Sequence, residues 1–370
     1  MIVGILKEIK PSESRVSMTP AGVELMAAAG HTVLVQNGAG QGSGWEDAVY
    51  VQAGARLVAA AADIYAQAEM VMHVKEPLPA EYDLIRPEQI VFTYLHLAAD
   101  ETLTRALIKA RSVNIGYETI QKPDGSLPLL TPMSEVAGRM SIQQAAKYLE
   151  KPNGGRGLLL GGVPGVEPAT VLILGGGTVG TEAAKMACGL GAKVYLLEKS
   201  LSRLRHLADI LPANCFLLMS GPETIRRLLP EADAVIGAVL LPGAKAPHLV
   251  TREMLKSVRP GAVLVDVAID QGGCFETSRP TTHTDPVYTV DGVLHYTVAN
   301  MPGAVPRTST LALTNATLPY ALEIANKGWR RAVRENAEIA WGANVILGQV
   351  THPAVAEAFG LTYTPVAQVA

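Results

Sequence analysis

Apolar residues in the first third of the chain fall into short runs separated by segments with helical spacing. The short runs predict five strands, at Ile2–Ile5, Thr32–Val35, Met70–Val74, Ile90–Tyr94 and Val113–Tyr117. Between them, Pro20–Gly30 and Glu101–Ala110 place apolar residues on one face of a helix. This alternation of strands and helices predicts an open, mainly parallel sheet.

The second half of the chain shows the same alternation. Strands are predicted at Val171–Leu174, Val194–Leu197, Cys215–Leu218, Ala234–Ala238, Val263–Val267 and Leu294–Val298. Ser134–Tyr148 is expected to be a long connecting helix, and the Gly/Pro-rich stretch Lys151–Ala169 is typical of a hinge or crossover. Two further helical segments, Leu318–Lys327 and Arg330–Ile346, are too short to bury a core of their own.

These elements predict an α/β fold of two doubly wound, Rossmann-like domains with a cleft between them. A chain of 370 residues is expected to form two domains, because single cores stop growing at about 250–300 residues. We place the first domain at residues 1–130 plus 305–370, completed by the C-terminal helices, and the second at residues 131–304.

Composition argues against several classes of function. The net charge is −3 with dispersed Lys and Arg, so no nucleic-acid surface is expected. No apolar run reaches the ~18 residues that span a bilayer, and the apolar part of the N-terminus is too short for a secretory signal. Cys188, Cys215 and Cys274 lack CxxC spacing, so we expect a cytoplasmic protein without a metal site or disulfide framework.

The segment from Val171 to Glu198 shows the succession of elements that is typical of a dinucleotide-binding site. An apolar run enters the turn GGGTVG, an Ala-rich helical segment follows, and a second apolar run ends at Glu198. Gly175 would allow the sharp turn, Gly177 the approach of a pyrophosphate, and Gly180 close packing of helix on strand. The N-terminus of the helix would face the phosphates.

Glu198 lies 18 residues after Gly180, near the spacing of about 20 residues expected of the acid that binds the adenosine ribose. The pattern favours a nicotinamide or flavin dinucleotide, and the alternative is a glycine-rich turn without a ligand. Two other glycine clusters, Asn37–Gly44 and Gly161–Gly165, lack this arrangement and are interpreted as structural loops.

Four ionisable residues follow predicted strands, where open α/β sheets bind their ligands. Arg15, Lys75 and His96 lie after strands of the first domain, and Asp270 lies after a strand of the second. Taken singly, each is more typical of a surface or capping residue. Together, around a cleft, they supply the cations and proton-transfer groups that a dehydrogenase of a small acid needs.

Further segments along almost the whole chain are distinctive, namely VGILKEIKPSESRVSMTPAGV, VKEPLPAEY, FTYLHLA, DGSLPLLTPMSEVAGRMS, GGRGLLLGGVPGV, VDVAIDQGGCFETSRPTTH and VANMPGAVPRTSTLALTNATLPY. In these segments the chain resembles the alanine dehydrogenases, in the family that they share with the soluble part of the proton-translocating nicotinamide nucleotide transhydrogenase. So many segments in the same order make the resemblance specific.

The resemblance implies reversible, NAD-dependent oxidative deamination of L-alanine to pyruvate and ammonium by a homohexamer. The first domain would bind the substrate, with Arg15 on its carboxylate, Lys75 on its carbonyl oxygen, and His96 and Asp270 as the acid/base pair. The second domain would bind NAD. Besides the three glycines and Glu198, its contacts would be Ser134, Thr178, Val179, Arg203, Ser220, Val239, Leu240, Val267, Ala268, Ile269, Asp270, Arg279, Val298, Ala299, Asn300 and Met301.

One departure from the family concerns the acid that binds the ribose, which is usually Asp and here is Glu198. Glutamate can still bond the ribose hydroxyls and repel a 2′-phosphate, so NAD is the expected cofactor. Lys199, Arg203 and Arg205 lie close in sequence and would soften that repulsion, which allows some use of NADP. His73 lies near Lys75, and we expect no catalytic role for it.

Two other functions are considered. A transhydrogenase subunit that passes hydride between NAD and NADP would have little reason to keep the four ionisable groups together. A non-enzymatic NAD-sensing module would bind NAD with no dependence on His96 or Asp270.

Overall fold

The computed structural model describes residues 1–239 and 247–370, which form two compact units. The first unit contains Met1–Met133 and Val305–Ala370, and the second contains Ser134–Ala304. Each has its own largely parallel sheet with helices, so the predicted α/β class with two Rossmann-like domains is confirmed. Among the described residues, no helix has both the length and the apolar character needed to cross a bilayer.

The strands alternate with helices along most of the chain. In chain order the strands are β1 (Ile2–Ile5), β2 (Thr32–Gln36), β3 (Arg56–Val58), β4 (Met70–Met72), β5 (Ile90–Thr93), β6 (Val113–Gly116), β7 (Thr170–Leu174), β8 (Lys193–Glu198), β9 (Cys215–Met219), β10 (Ala234–Gly237), β11 (Val263–Asp266), β12 (Val287–Val290), β13 (Val293–Tyr296), β14 (Ala343–Ile346) and β15 (Gln349–Val350). The helices are α1 (Pro20–Ala28), α2 (Asp47–Gln52), α3 (Ala61–Gln67), α4 (Glu101–Ala110), α5 (Thr131–Leu149), α6 (Thr178–Gly189), α7 (Leu201–Ile210), α8 (Pro222–Leu228), α9 (Arg252–Leu255), α10 (Pro306–Lys327), α11 (Trp329–Glu335), α12 (Ala337–Gly342) and α13 (Pro353–Phe359).

The sheet of the first unit has the strand order β15-β14-β6-β5-β4-β1-β2-β3. Strands β1 to β6 are parallel, and β1 lies between β2 and β4. The strand order therefore reverses at β1, and the carboxyl end of such a reversal is where open α/β sheets bind ligands.

The sheet of the second unit has the order β12-β13-β11-β10-β7-β8-β9. All its neighbouring strands are parallel except β12, which pairs antiparallel with β13. The chain passes from β7 to β8 and β9 on one side and then to β10 on the other, so the order reverses between β7 and β10.

Burial explains why the strands of the first unit appear as continuous apolar runs. Every residue of β4 and β5 is buried, as expected of parallel strands covered on both faces. Leu103 and Leu107 of α4 pack in one apolar cluster with Val91 of β5. Asp100 begins that helix because its side chain accepts the N–H of Leu103.

The C-terminal segment differs most from the prediction. Residues 343–346, which were expected to end a helix, form β14 and pair antiparallel with β6, while β15 adds an edge strand. Helix α10 begins at Pro306 rather than at Leu318. The segment therefore completes the first unit with strands as well as with the predicted helices. The sequence analysis also missed β3 and β12.

Candidate active site

The glycines of the turn after β7 meet different structural demands. Gly175 has a φ of 105°, and a Cβ there would lie 2.8 Å from the carbonyl oxygen of Ala238. A Cβ on Gly180 would lie 1.8 Å from the carbonyl oxygen of Gly175, so β7 and α6 approach only because no side chain intervenes. The fold itself therefore requires these two glycines.

Gly177 differs, because a Cβ built there meets no atom within 4 Å. Its φ of −68° is accessible to any residue, and it is the N-cap of α6. The first N–H groups of a helix have no intrahelical acceptor and form the positive end of its dipole. The open space at Gly177 and this helix end fit the pyrophosphate of a dinucleotide.

Glu198 and Arg203 both bind the backbone of the glycine turn. Glu198 accepts the N–H of Gly176 on Oε2 at 2.9 Å, and on Oε1 it accepts the N–H groups of the next two residues at 2.7 and 2.9 Å. Arg203 donates from Nε to the carbonyl oxygen of Gly176 at 2.8 Å and from Nη2 to Oγ1 of Thr181 at 3.0 Å. The two side chains therefore hold the turn in shape at the carboxyl ends of β7 and β8.

Most other predicted cofactor residues follow strands of the same sheet. They are Ser220 after β9, Val239 after β10, Val267, Ala268, Ile269 and Asp270 after β11, and Val298, Ala299, Asn300 and Met301 after β13. Because these strands are parallel, all these residues lie at the carboxyl edge of the sheet, on the side of the glycine turn.

The remaining predicted contacts lie on helices or loops. Thr178 and Val179 begin α6, and Ser134 is in α5, which packs so closely on α6 that a Cβ at Gly138 would lie 2.4 Å from the carbonyl oxygen of Val179. Arg279 is exposed, with its guanidinium carbon 4.2 Å from the ring centroid of Tyr288. Leu240 lies outside the described residues.

Asp266 organises the loop that carries Asp270. Its buried carboxylate accepts the N–H of Cys274 at 2.8 Å, the N–H of Ala268 at 3.2 Å and the hydroxyl of Ser278 at 2.5 Å. Burial raises the pKa of the Asp266 carboxyl, although these hydrogen bonds favour its charged form. Asp270 is exposed in a 3₁₀ turn of the same loop, so Asp266 fixes the backbone from which Asp270 projects.

Arg15 is buried in the loop after β1 and bound by Glu13. Its Nε and Nη2 donate to the two carboxylate oxygens of Glu13 at 2.7 and 2.5 Å, and its Nη1 lies 3.1 Å from Sδ of Met133. Burial alone lowers the pKa of the guanidinium, but the hydrogen bonds and charge of Glu13 outweigh it and raise that pKa. Arg15 therefore stays charged with its planar fork in a fixed orientation.

Lys75 lies in the loop after β4, which ends at Met72 rather than at Val74 as predicted. The Lys75 N–H donates to Oε2 of Glu8 at 3.3 Å, and its carbonyl oxygen accepts from Oγ1 of Thr93 at 2.9 Å. Glu8 follows β1 and Thr93 ends β5, so the segments on both sides of β4 hold the backbone of this half-buried lysine.

His96 follows β5 in a left-handed conformation, with φ of 50° and ψ of 35°, which is uncommon for a residue with a side chain. Glu118 holds this turn, since its carboxylate accepts the N–H of His96 at 2.6 Å and that of Leu95 at 3.1 Å. The imidazole is exposed and stacks on Tyr94, with 5.8 Å between ring centroids and 6° between planes. The turn thus presents the His96 ring to solvent.

The first unit brings three of the four predicted ionisable residues to one edge of its sheet. Arg15, Lys75 and His96 follow β1, β4 and β5, which are adjacent and parallel. Asp270 belongs to the second unit and follows β11, at the carboxyl edge of that sheet. In the described part of the chain, no group of three or more His, Cys, Asp and Glu side chains is placed to hold a metal ion.

The sequence analysis missed the carboxylates that hold these groups. Glu8 and Glu118 accept backbone N–H groups 66 and 22 residues away in sequence, a relation that no local pattern reveals. Glu13 lies two residues before Arg15, and a carboxylate so close to a candidate arginine was the signal available. The loop Asn37–Gly44 also supports this region, because Oγ of Ser43 donates to the carbonyl oxygen of Ser14 at 2.9 Å.

Two domain models of one protein family match most of this chain. Residues 4–137 match the N-terminal domain of the alanine dehydrogenase/PNT family, and residues 141–353 match its C-terminal domain. An alanine dehydrogenase of Methanococcus maripaludis is 57% identical over 99% of this chain and 98% of its own length.

Two solved structures share the fold. An L-alanine dehydrogenase superposes with a TM-score of 0.94 and 52% identity, covering 97% of this chain and 99% of its own. A transhydrogenase from Sinorhizobium meliloti superposes with a TM-score of 0.82 and 26% identity, covering 96% of this chain and 100% of its own. The likeness to alanine dehydrogenases therefore extends through both units.

Proposed function

Because this chain belongs to the alanine dehydrogenase/PNT family, we propose that it catalyses the reversible oxidative deamination of L-alanine to pyruvate and ammonium with NAD. Relatives named alanine dehydrogenase match nearly its entire length, which supports this activity over that of more distant members. The observation that carries the proposal is that Arg15, Lys75 and His96 each follow one of three adjacent parallel strands. A site for a small oxo acid needs two cations and a proton-transfer group, and these are the groups at that edge.

The residues of the glycine turn fit a dinucleotide. Bound NAD would supply the acceptor for the hydride that leaves Cα of alanine. Gly177 leaves room for the pyrophosphate, and the N-terminus of α6 offers N–H groups and positive potential to it. Glu198 already accepts three backbone N–H groups, and because a carboxylate has about four acceptor sites, one remains for a ribose hydroxyl.

Arg15 and Lys75 would bind the substrate. The planar Arg15 guanidinium, held by Glu13 through two of its five N–H donors, suits a carboxylate, and a lysine would not reproduce this planar set of donors. Lys75 would place a compact positive charge against the carbonyl oxygen of pyruvate, where negative charge accumulates during reductive amination.

His96 and Asp270 would move the protons. The exposed imidazole of His96 has the chemistry to accept and donate a proton. The carboxylate of Asp270 would help water to add to the imine formed from alanine. Deamination needs a neutral substrate amine, so it should be fastest at alkaline pH, with reductive amination fastest nearer neutrality.

Spectrophotometric measurement of NADH formation with L-alanine, and of its consumption with pyruvate and ammonium, tests this function. Hydride transfer between NAD and NADP without any response to L-alanine would support the transhydrogenase alternative. Tight NAD binding with no turnover, unchanged in His96→Ala and Asp270→Asn, would support the sensing alternative.

NAD is proposed over NADP because the Glu198 carboxylate would repel a 2′-phosphate. Arg203 donates to the glycine turn and so is not directed wholly to a phosphate. Steady-state kinetics with both cofactors tests the choice, and equal kcat/KM values for NAD and NADP would contradict it.

The family resemblance also supports proposals about assembly and location. We expect a homohexamer in the cytoplasm, with no nucleic-acid or membrane partner. Light scattering on the purified protein measures the assembly, and a mass close to that of one chain would contradict the hexamer.

A further inference from the structure

The first unit contains a buried cluster of ionisable side chains to which the proposed reaction assigns no proton transfer and no substrate contact. We call it the His73 cluster, and it consists of Glu8, Tyr65, His73 and Glu81. The side chains of His73, Glu8 and Glu81 are 2%, 4% and 6% exposed, and Tyr65 is 1% exposed. Burial of two carboxylates is costly unless a positive charge or hydrogen bonds compensate for it.

The cluster joins four separate segments of the chain. Nδ1 of His73 lies 3.6 Å from Oε1 of Glu8, and Nε2 lies 2.9 Å from the Tyr65 hydroxyl and 3.5 Å from Oε1 of Glu81. The Tyr65 hydroxyl in turn donates to Oε1 of Glu81 at 3.4 Å. Glu8 follows β1, Tyr65 is on α3, His73 follows β4 and Glu81 precedes a 3₁₀ turn.

This geometry suits an imidazolium. Nδ1 of His73 faces a carboxylate oxygen of Glu8, and Nε2 faces the Tyr65 hydroxyl, which accepts when its own proton is donated to Glu81. Burial lowers the pKa of the imidazole, but the nearby carboxylate of Glu8, with the charges of Glu81 and Glu76, outweighs burial and raises that pKa. Glu76 is itself paired with Lys10, so Glu8 and Glu81 are the principal counter-charges.

Glu8 links the His73 cluster to the candidate substrate lysine. Its Oε1 accepts the N–H of Val74 at 2.6 Å and its Oε2 accepts the N–H of Lys75 at 3.3 Å. The same carboxylate therefore faces the imidazole and fixes the backbone from which the Lys75 side chain extends. A small shift of this backbone would move the lysine ammonium away from the position that the substrate requires.

We propose that Glu8, held in place by protonated His73, is a positioning residue for Lys75, and that binding of the 2-oxo acid weakens when His73 loses its proton. This inference rests on the proposed function, which assigns Lys75 to the carbonyl oxygen of the substrate. His73 touches no substrate in this account, so it has a positioning role and not a catalytic one.

Kinetics of NADH oxidation with pyruvate and ammonium, measured from about pH 6 to about pH 9, test the proposal in three variants. His73→Asn removes the positive charge of the imidazolium. Glu8→Gln removes the negative charge and replaces one carboxylate oxygen with an NH₂ group, which cannot accept the backbone N–H groups that Glu8 binds. The matched control is His295→Asn, because His295 is equally buried in the second unit and bonds Thr277 and the backbone at 2.8 and 3.0 Å.

Both cluster variants should raise the KM for pyruvate about tenfold, which corresponds to about 1.4 kcal/mol, while kcat changes much less. In the wild type the KM should rise as the pH increases through the titration of His73, whereas in His73→Asn it should be high at every pH. His295→Asn should keep the wild-type KM and pH profile. Restoring a basic group with His73→Lys is expected to recover part of the affinity.

A wild-type KM and pH profile in folded His73→Asn or Glu8→Gln would overturn the proposal. It would also be overturned if these variants lost only thermal stability, in parallel with the control. A failure of this proposal can be distinguished from a failure of the proposed function by NMR of the histidine imidazoles. This measurement follows the titration of His73 directly and does not require an active enzyme. A wild type that did not turn over pyruvate would defeat the function, whereas a His73 resonance that titrates at or below about pH 6.5, unaffected by Glu8→Gln, would defeat the imidazolium cluster.

Discussion

The substitution Gly177→Ala separates the cofactor role of the glycine turn from its role in the fold. A Cβ at Gly177 meets no protein atom within 4 Å, and its backbone conformation suits any residue. If a pyrophosphate lies over this position, the added methyl group occupies its space. The variant should therefore fold normally and lose affinity for NADH.

The stability change of Gly177→Ala can be worked out from two opposing effects. Alanine restricts the unfolded chain, which stabilises by about 0.4–1 kcal/mol, but it is a poorer N-cap than glycine and costs a similar amount. The net change should lie within about 1 kcal/mol, or a shift in Tm of no more than about 4 °C for a domain of this size. The NADH dissociation constant should rise at least tenfold, about 1.4 kcal/mol.

Gly189→Ala is the matched control, because Gly189 also has open space at its Cβ position but ends α6 far along the helix from the turn. It should stabilise the protein by about 0.5–1 kcal/mol and leave NADH affinity unchanged. Fluorescence titration with NADH and thermal denaturation measure both quantities. Wild-type NADH affinity in folded Gly177→Ala would refute the assignment of the turn to the pyrophosphate.

Three further predictions concern individual carboxylates and the His73 cluster. Glu13→Gln should raise the KM for pyruvate and lower Tm, because it removes the charge of the carboxylate that pairs with the buried Arg15 guanidinium; an unchanged KM would argue against Arg15 as the carboxylate ligand. Asp270→Asn should lower kcat by about 10²–10⁴-fold with unchanged Tm, and activity near that of the wild type would remove Asp270 from the mechanism. The raised pKa of His73 predicts that its contribution to folding stability is complete below about pH 6.5 and is lost as the pH rises through the folded-state pKa. The Tm difference between wild type and His73→Asn should shrink accordingly at alkaline pH, and a difference independent of pH would contradict it.

The strands nearest the proposed site were predictable because they are short and buried on both faces. Strand β1 has the predicted bounds, and β5 ends one residue before the expected Tyr94. The glycine turn was equally visible, since Gly180 is required by a backbone contact within the same β-α unit and Gly175 by its own positive φ. Local sequence therefore sufficed where the determining contacts are local.

Elements whose structure depends on contacts with residues far away in the sequence could not be predicted from local patterns. Strand β14 continues an apolar helical pattern and becomes a strand because it pairs with β6 and returns to β15 through Leu347 and Gly348, which both have positive φ. Helix α10 begins before the predicted Leu318–Lys327 segment, and its added first half packs on distant parts of the first unit. Its Thr310 is buried and accepts the N–H of Val16 at 3.2 Å, so the hydroxyl is satisfied by the loop that carries Arg15.

The carboxylates that hold the candidate site residues also depend on contacts with distant parts of the chain. Glu8 and Glu118 owe their roles to backbone N–H groups brought near by parallel strand pairing, and no local spacing in the sequence indicates those partners. The sequence could therefore indicate the groups proposed to face the substrate, but not the groups that hold them.

The initial rate of NADH formation by the purified chain, measured against L-alanine concentration at saturating NAD, tests the central claim most directly. We predict a rate that saturates with L-alanine, increases toward alkaline pH and reverses when pyruvate and ammonium are supplied with NADH. A folded protein that binds NAD but forms no NADH from L-alanine at any pH in this range would contradict the proposed function.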